Sequence, residues 1–300
     1  MTDHPRILLI GSDGQVGWEL RRTLAPVGQV IAASLKGELG PSVDLVDAAS
    51  VRRLFNETEP KAVVNAAAYT AVDKAEAEPE RAQAINGDAL ALIAELAAGS
   101  GIPVLHYSTD FVFSGDTDRP YREDDNPEPR NVYGATKLAG ERALLDSDAD
   151  ALVFRTAWVY GVRGRNFLLT MLDLFRERND LSIVDDQIGT PTWSRMLAEV
   201  SALVLHRVFR GDVDIAEIKG LYHVTSGGAT SWFGFADAIR EATGNRCRLR
   251  PIPTSEYPAP ARRPAYSVLD TSHFRATFGL SLPDWRQSLA LCLEDLARGR

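Results

Sequence analysis

Residues Arg6–Gly17 read RILLIGSDGQVG, and this stretch decides the fold. Its first part, Arg6–Ile10, is almost entirely apolar, as in a parallel strand that is buried on both faces. Three glycines follow at every third position, Gly11, Gly14 and Gly17, and precede a helical stretch. Glycines let the backbone turn sharply and approach a pyrophosphate, whose charge a helix N-terminus favours. The stretch therefore predicts a strand, a glycine turn and a helix that bind a dinucleotide; a plain tight turn is the alternative.

Apolar runs and helical stretches then alternate through the first half of the chain. We expect further strands at residues 29–34, 61–68 and 102–107, and helices at residues 48–57 and 79–98. This alternation is typical of α/β proteins with a doubly wound parallel sheet, the Rossmann fold. Beyond residue 157 the strict alternation ends. We expect residues 1–157 to form the dinucleotide-binding domain and residues 158–300 to form mainly a smaller C-terminal α/β substrate-binding region, with some segments returning to the main sheet.

The end of the second expected strand bears on the choice between NADPH and NADH. Folds that prefer NAD place an Asp or Glu there, which binds the ribose 2′-hydroxyl. Here the chain reads Ala33-Ser34-Leu35-Lys36, without an acid. We expect Ser34 and Lys36 to contact a 2′-phosphate, which favours NADPH and leaves NADH possible, although Lys36 also suits a solvated loop. Asp44 and Leu45 follow, where the acid suits either adenine binding or a turn.

Small and hydroxyl-bearing residues end the next two strands. Ala66–Ala68 would let a cofactor lie flat against the backbone, and Ser108–Asp110 follows the strand at 102–107. Ligands of doubly wound sheets bind at the carboxyl ends of the strands. A hydroxyl at this position suits a hydrogen bond to a substrate carbonyl oxygen. The alternative is that these residues only cap helices or form turns.

Tyr133 and Lys137 are four residues apart in a stretch of good helix formers. In a helix this spacing puts both side chains on one face, one turn apart. An ammonium close to a phenol favours the phenolate, so we expect the pKa of Tyr133 to be lowered toward neutrality. Such a tyrosine suits proton transfer in a transition state. A chance pair on an amphipathic helix is the alternative.

Composition and charge exclude several classes of protein. The chain has 300 residues and a net charge of −8, without a basic cluster, which argues against a nucleic-acid partner. The apolar run Ile7–Ile10 is too short for a signal peptide, and no later run approaches the length that spans a membrane. Two cysteines, Cys247 and Cys292, form neither a disulfide framework nor a zinc site. A reducing, cytoplasmic compartment is expected.

Together the glycine turn, the two strand ends and the Tyr133/Lys137 pair resemble the extended short-chain dehydrogenase/reductases. Further stretches narrow the resemblance to the dTDP-4-dehydrorhamnose reductase family, and it extends over nearly the whole chain. These stretches are GQVGWEL (residues 14–20), NAAAYTAVDKAE (65–76), HYSTDFVF (106–113), NVYGATKLAGE (131–141), FRTAWVY (154–160) and DDQIGTPT (185–192).

The resemblance implies an oxidoreductase that reduces the C4 ketone of dTDP-4-dehydro-L-rhamnose to dTDP-L-rhamnose, the last step of dTDP-rhamnose biosynthesis for cell-surface polysaccharides. It implies that Tyr133 is the catalytic tyrosine, that Lys137 assists it and holds the nicotinamide ribose, and that Thr109 lies beside the reacting carbonyl. The candidate cofactor-binding residues are Gly11, Asp13, Gly14, Gln15, Val16, Gly17, Ser34, Lys36, Asp44, Leu45, Ala66, Ala67, Ala68, Tyr133 and Lys137. The candidate substrate-binding residues are Thr70, Val72, Ser108, Thr109, Asp110, Phe111, Tyr133, Trp158 and Arg262.

Arginines and tryptophans of the second half allow two interpretations each. Arg262 and Arg263 follow a proline-rich stretch and suit a diphosphate, because a guanidinium binds phosphate with two parallel hydrogen bonds. A surface arginine pair is the alternative. The tryptophans Trp193, Trp232 and Trp285 suit stacking on a base, and they equally suit the core.

The resemblance also bears on metal dependence and on assembly. Some relatives bind magnesium through interface carboxylates, one of them at the position of Glu19. Where a second acid is expected, this chain has Arg195. Magnesium dependence thus stays open, and we predict no residue of this chain as a metal ligand. A Glu19–Arg195 pair across a dimer interface is an alternative. A homodimer is common in this superfamily and is expected.

Two other functions fit the same fold. A nucleotide-sugar epimerase keeps its NAD bound, whereas a dehydratase requires a Glu where this chain has Phe111. Some proteins that resemble these reductases are instead non-catalytic regulatory subunits. The complete set of Tyr133, Lys137 and Thr109 argues for an enzyme.

Overall fold

The strand that precedes the glycine turn lies inside a six-stranded parallel sheet in the computed structural model, which describes residues 4–298. The strands of these residues are β1 (Arg6–Ile10), β2 (Gln29–Ala33), β3 (Ala62–Asn65), β4 (Val104–Thr109), β5 (Ala151–Thr156), β6 (Val159–Tyr160), β7 (Asp180–Val184), β8 (Ile188–Gly189), β9 (Thr192–Trp193), β10 (Gly220–His223), β11 (Thr230–Ser231) and β12 (Arg248–Ile252). The sheet order is β10-β5-β4-β3-β1-β2, so the order reverses beside β1. At such a reversal the connections leave in opposite directions and open a crevice for a ligand.

Helices cover both faces of this sheet. They are α1 (Gln15–Thr23), α2 (Ala48–Thr58), α3 (Val72–Ala75), α4 (Pro79–Gln83), α5 (Ala89–Ser100), α6 (Val132–Leu145), α7 (Phe167–Glu177), α8 (Ser194–Phe209), α9 (Ile215–Ile218), α10 (Trp232–Ala242), α11 (Ser272–Phe278) and α12 (Trp285–Arg298). Short 3₁₀ turns lie at Asp110–Val112 and Thr254–Glu256.

Strand β1 contributes to both halves of the core. Ile7 and Leu9 pack with α1 and α8 on one face, whereas Leu8 and Ile10 pack with α2 and α5 on the other. All four side chains are at most 1% exposed. The predicted strand buried on both faces is therefore confirmed, and so is the predicted doubly wound parallel sheet.

The expected helix at residues 79–98 is interrupted. Between α4 and α5, residues Ala84–Asp88 form one π-helical turn around the buried Asn86. The Asn86 amide accepts a hydrogen bond from Tyr69 N (2.8 Å) and donates to Tyr69 O and Thr136 Oγ1 (both 3.1 Å). The π turn thus lets one polar side chain tie the loop after β3 to α6. The expected strand at 61–68 is shorter than predicted, because residues 66–68 leave the sheet.

The second half builds a smaller region and also returns to the main sheet. Strand β10 pairs with β5 and completes the sheet edge, whereas β7 with β12, β6 with β9 and β8 with β11 form three small pairs. Helices α7, α10 and α12 pack with these around a separate apolar cluster that contains Tyr160, Phe235 and Trp285. No helix among residues 4–298 combines the length and apolar character needed to cross a bilayer.

Candidate active site

A crevice of about 790 Å³ opens where the carboxyl ends of β1, β3 and β4 face the second half of the chain. It brings together most of the residues that the sequence singled out. The predicted residues that line it are Gly11, Asp13, Gly14, Gln15, Val16, Ser34, Asp44, Leu45, Ala66, Ala67, Ala68, Thr70, Val72, Ser108, Thr109, Asp110, Phe111, Tyr133, Lys137 and Trp158. Three predicted residues, Gly17, Lys36 and Arg262, do not line it.

The glycine turn is shaped for a close approach to an anion. Gly11 has φ +82°, and a Cβ there would lie 2.5 Å from Ala67 N. A Cβ on Gly17 would lie 2.0 Å from Gly11 O, so Gly17 lets α1 pack on the turn without itself lining the crevice. No side chain caps the N-terminus of α1 at Gly14. The first amides of α1 therefore remain available to a pyrophosphate, and the turn fits a dinucleotide.

Tyr133 stands in the first turn of α6. The helix begins here because the Asn131 side chain accepts a hydrogen bond from Gly134 N at 2.7 Å, as an N-cap does. The same side chain donates to Arg262 O at 2.8 Å, which fastens the proline-rich segment to the start of α6. The Tyr133 ring meets the edge of Phe111 with a centroid separation of 5.8 Å. Tyr133 is thus held at the crevice from two sides.

The expected lowering of the Tyr133 pKa is wrong for this structure. Burial deep in the crevice raises the pKa of Tyr133 to about 12, with the Asp110 carboxylate adding to the rise and the Thr109 hydroxyl opposing it. The prediction considered only the ammonium of Lys137, which favours a phenolate. Desolvation disfavours a phenolate and has the larger effect on the pKa of Tyr133 here. At neutral pH the phenol therefore keeps its proton and can donate it.

Lys137 lies one turn further along α6 and is 1% exposed. Its Nζ donates to Tyr107 O at 2.6 Å and lies 2.9 Å from His106 Nε2. Burial lowers the pKa of Lys137 to about 7, and the carboxylate of Glu141 works in the opposite direction. The lysine is therefore close to its titration point near neutral pH.

Ser108 and Thr109 end β4 and Asp110 follows them, and the three residues have different environments. The Ser108 hydroxyl donates to the buried Glu141, so it is directed at the protein rather than at a ligand. The Thr109 hydroxyl donates to Asp110 Oδ1 at 3.1 Å. Burial raises the pKa of Asp110 to about 7, and the hydroxyl groups of Ser267 and Thr109 oppose the rise. Thr109 and Asp110 thus offer polar groups to the crevice.

Two stacked tryptophans form the opposite wall. Trp158 and Trp232 lie with ring centroids 3.5 Å apart and planes at 4°, and both line the crevice. Trp158 has φ +44°, and a Cβ on Gly189 would lie 2.4 Å from its ring. The strained backbone and the glycine together let the Trp158 ring reach the stack. Trp232, for which the sequence left a core position equally open, is therefore a wall residue as well.

Two cationic positions differ from the prediction. Arg262 is exposed and offers only its carbonyl oxygen to Asn131, whereas Arg263 lines the crevice and pairs with Asp73 at 2.8 Å. Lys36 is exposed and pairs with Glu38 at 3.7 Å. In extended chain neighbouring side chains point in opposite directions, so the sequence alone does not tell which arginine faces inward. Arg165 also lines the crevice; the sequence analysis missed it because it belongs to no motif.

Glu19 and Arg195, which the sequence allowed to pair across a dimer interface, pair within one chain in this structure. Arg195 Nε donates to the buried Glu19 Oε2 at 3.2 Å, and its Nη2 lies 2.8 Å from Asp295 Oδ2. A guanidinium thus sits between the two carboxylates, where a divalent cation would need to bind. These residues do not fit a magnesium site.

The glycine turn lies where the strand order of a parallel sheet reverses, and a tyrosine–lysine pair and a threonine lie across the crevice from it. This combination defines an oxidoreductase of the extended short-chain dehydrogenase/reductase class. The family model described as the RmlD substrate binding domain matches residues 5–298. Reductases named dTDP-4-dehydrorhamnose reductase share 46% identity in Burkholderia thailandensis (97% of this chain, 99% of that protein) and 45% in Salmonella typhimurium (97% of each). The chain therefore belongs to the dTDP-4-dehydrorhamnose reductase family and is an NAD(P)H-dependent oxidoreductase.

A solved structure agrees with this assignment. The dTDP-4-dehydrorhamnose reductase from Bacillus anthracis, in complex with NADP, superimposes with a TM-score of 0.89 at 32% identity, over 97% of this chain and 99% of that one. The nicotinamide cofactor that the glycine turn predicts is thus supported at the level of the family.

Proposed function

We propose that this protein reduces the C4 ketone of dTDP-4-dehydro-L-rhamnose to dTDP-L-rhamnose, with NADPH as the preferred hydride donor. The observation that carries the proposal is that Thr109, Tyr133 and Lys137 line the same crevice as the glycine turn. The names of the relatives support the choice of substrate. The product is the end point of dTDP-rhamnose biosynthesis.

Proton transfer is assigned to Tyr133. The glycine turn would hold the pyrophosphate of the dinucleotide, and its nicotinamide ring would supply the hydride. As charge develops on the C4 oxygen, Tyr133 donates its proton to that oxygen; the phenol carries that proton at neutral pH because its pKa lies well above 7. Thr109 donates a second hydrogen bond after its hydroxyl turns away from Asp110. Lys137, when charged, stabilises the phenolate that Tyr133 leaves behind.

Residues from both halves are assigned to the nucleotide sugar. Asp110 lines the crevice and its carboxyl group suits a sugar hydroxyl, and Thr70, Val72 and Phe111 border the same space. Trp158 and Trp232 form an apolar wall for the sugar or the base. Arg263 takes the diphosphate role that the sequence gave to Arg262, because it lines the crevice. In this division residues 158–300 mainly serve substrate binding.

The proposal also covers the cofactor preference, the compartment and the assembly. NADPH is preferred because β2 ends without an acid and Ser34 lines the crevice there. A cytoplasmic location agrees with Cys247 and Cys292, which are both free and buried. A homodimer is proposed from its frequency in the superfamily, and no magnesium site is proposed at Glu19, since Arg195 already pairs with Glu19 and Asp295.

Tyr133→Phe tests the catalytic role. The variant should bind NADPH as the wild type does, because only one hydroxyl is removed. Its kcat should fall by about a hundredfold or more, since the proton donor is lost. NADPH oxidation at 340 nm with dTDP-4-dehydro-L-rhamnose measures turnover, and cofactor fluorescence measures binding. Tyr257→Phe, an exposed position, is the matched control. Turnover near the wild-type rate in Tyr133→Phe would refute the assignment, and tightly bound NAD in the purified protein would favour an epimerase.

Ser34→Asp tests the cofactor preference. A carboxylate at the end of β2 should repel the 2′-phosphate and accept from a 2′-hydroxyl. The KM for NADPH should rise by about tenfold or more, with the KM for NADH unchanged or lower. Lys36→Ala is the companion variant, and it should leave the ratio of the two KM values unchanged because Lys36 lies off the crevice. An unaltered ratio in Ser34→Asp contradicts the proposal for Ser34.

Trp232→Ala and Trp232→Phe test the aromatic wall. Removing the ring frees Trp158 from its stack, and the KM for the nucleotide sugar should rise by about tenfold. Phenylalanine preserves a stacking surface and should restore most of the affinity. The kcat should change little in both variants, because Tyr133, Lys137 and Thr109 are untouched. Equal KM values in the wild type and in Trp232→Ala would exclude this role.

A further inference from the structure

A row of buried polar side chains lies behind Lys137, and the proposed mechanism does not use it. Asn65 ends β3 and His106 lies directly opposite it on β4, and both are fully buried. Asn65 Nδ2 is 3.1 Å from His106 Nδ1, and His106 Nε2 is 2.9 Å from Lys137 Nζ. The three side chains therefore form one chain of hydrogen bonds that leads from the sheet to the crevice.

The hydrogen-bond donors in this chain have a definite direction. Asn65 Oδ1 accepts from Ala67 N at 3.2 Å, which orients the amide so that its NH₂ group faces His106 Nδ1. Nδ1 must then accept, and a neutral imidazole carries its single proton on the other nitrogen. In this tautomer Nε2–H points at Lys137 Nζ, and the amine form of Lys137 accepts it. Nζ in turn donates to Tyr107 O at 2.6 Å.

We propose that Asn65 and His106 are positioning residues that fix Nζ of Lys137 beneath the crevice and set its protonation state. The proposal rests on the role given to Lys137 in the proposed function. The ammonium form of Lys137 needs an acceptor at Nε2, which moves the imidazole proton to Nδ1. A proton on His106 Nδ1 would face the NH₂ group of Asn65, where two donors would meet. The hydrogen bonds therefore favour the uncharged amine form of Lys137.

The other charged and titratable groups near Lys137 lie on α6, on β5 and at the end of β4. Glu141 lies one turn further along α6, but it is bound by Arg155 from β5 and by Ser108 from β4. Tyr133 lies one turn earlier, and Asp110 follows β4. Burial lowers the pKa of His106 well below its ordinary value, and the nearby Lys137 adds to the fall, while the Asn65 backbone opposes it. A neutral imidazole is thus the form to be expected at neutral pH.

We expect kcat to depend on pH through the charge of Lys137. Burial lowers the pKa of Lys137 to about 7, so the ammonium is present below that pH and lost above it. If the ammonium stabilises the phenolate of Tyr133, kcat falls as the pH rises through the pKa of Lys137. Asn65→Asp should reverse the direction of these hydrogen bonds, because a carboxylate accepts both from Ala67 N and from Nδ1–H of His106. Nε2 then accepts from the ammonium, and the pKa of Lys137 rises.

Histidine tautomers measured in the wild-type protein test the proposal without any activity assay. The chain has five histidines, and selective ¹⁵N labelling resolves the two nitrogens of each ring. His106→Gln identifies the His106 signals. We expect the Nε2–H tautomer in the wild type at pH 7 and the Nδ1–H tautomer in Asn65→Asp. An Nδ1–H or doubly protonated His106 ring in the wild type would overturn the proposal.

Turnover measurements complete the test. In Asn65→Asp the basic limb of the kcat profile should move to higher pH by about one to three units. His106→Gln should lower kcat by about tenfold to a hundredfold with little change in the KM for NADPH, because Nζ of Lys137 loses one of its two hydrogen-bond partners. His223→Gln replaces a buried histidine on β10 outside the crevice and should keep wild-type kinetics. A wild-type profile in both Asn65→Asp and His106→Gln contradicts the proposal.

The two proposals fail in distinguishable ways. Absence of turnover by the wild-type protein with dTDP-4-dehydro-L-rhamnose would reject the proposed function, and the tautomer measurement would still decide the hydrogen-bond chain. Normal wild-type turnover with the opposite tautomer would reject only the role of Asn65 and His106.

Discussion

The buried ion pair between Glu141 and Arg155 anchors the catalytic helix on the sheet. The two side chains are 1% and 3% exposed and meet through three hydrogen bonds of 2.6 to 3.1 Å. Removing one partner of such a pair leaves an uncompensated buried charge and costs about 3–5 kcal/mol. Tyr133, Lys137 and Glu141 follow one another at intervals of four residues and so share one face of α6. The ion pair at the far end of this row therefore fixes where the phenol and the amine meet the end of β4.

Burial decides the chemistry of that face more than charge does. A phenol and an amine that lie close together in water would favour the charged pair, but desolvation disfavours both charges here. The pKa of Tyr133 is raised to about 12 and that of Lys137 is lowered to about 7. The proton accordingly stays on the tyrosine oxygen until negative charge develops on a substrate. This order suits a reductase, since the proton has to follow the hydride.

The sequence predicted local features well and features that depend on tertiary packing poorly. Strand β1 and the glycine turn were predictable because their apolar run and glycine spacing lie within a dozen residues. The pairing of Tyr133 with Lys137 follows from helix periodicity. By contrast, the raised pKa of Tyr133 depends on how deeply it is buried, and the stack of Trp158 on Trp232 joins residues that are far apart in the chain. The same holds for Arg263, whose inward direction depends on how its extended segment lies on α6.

The most direct test of the account is a crystal structure of the protein with NADP⁺ and dTDP-L-rhamnose. The central claim is that Tyr133 gives its proton to the C4 oxygen while Thr109 holds that oxygen in place. We expect the C4 hydroxyl oxygen to lie within about 3 Å of both Tyr133 Oη and Thr109 Oγ1. A sugar bound with its C4 oxygen away from the Tyr133 hydroxyl, or outside the crevice altogether, would contradict it.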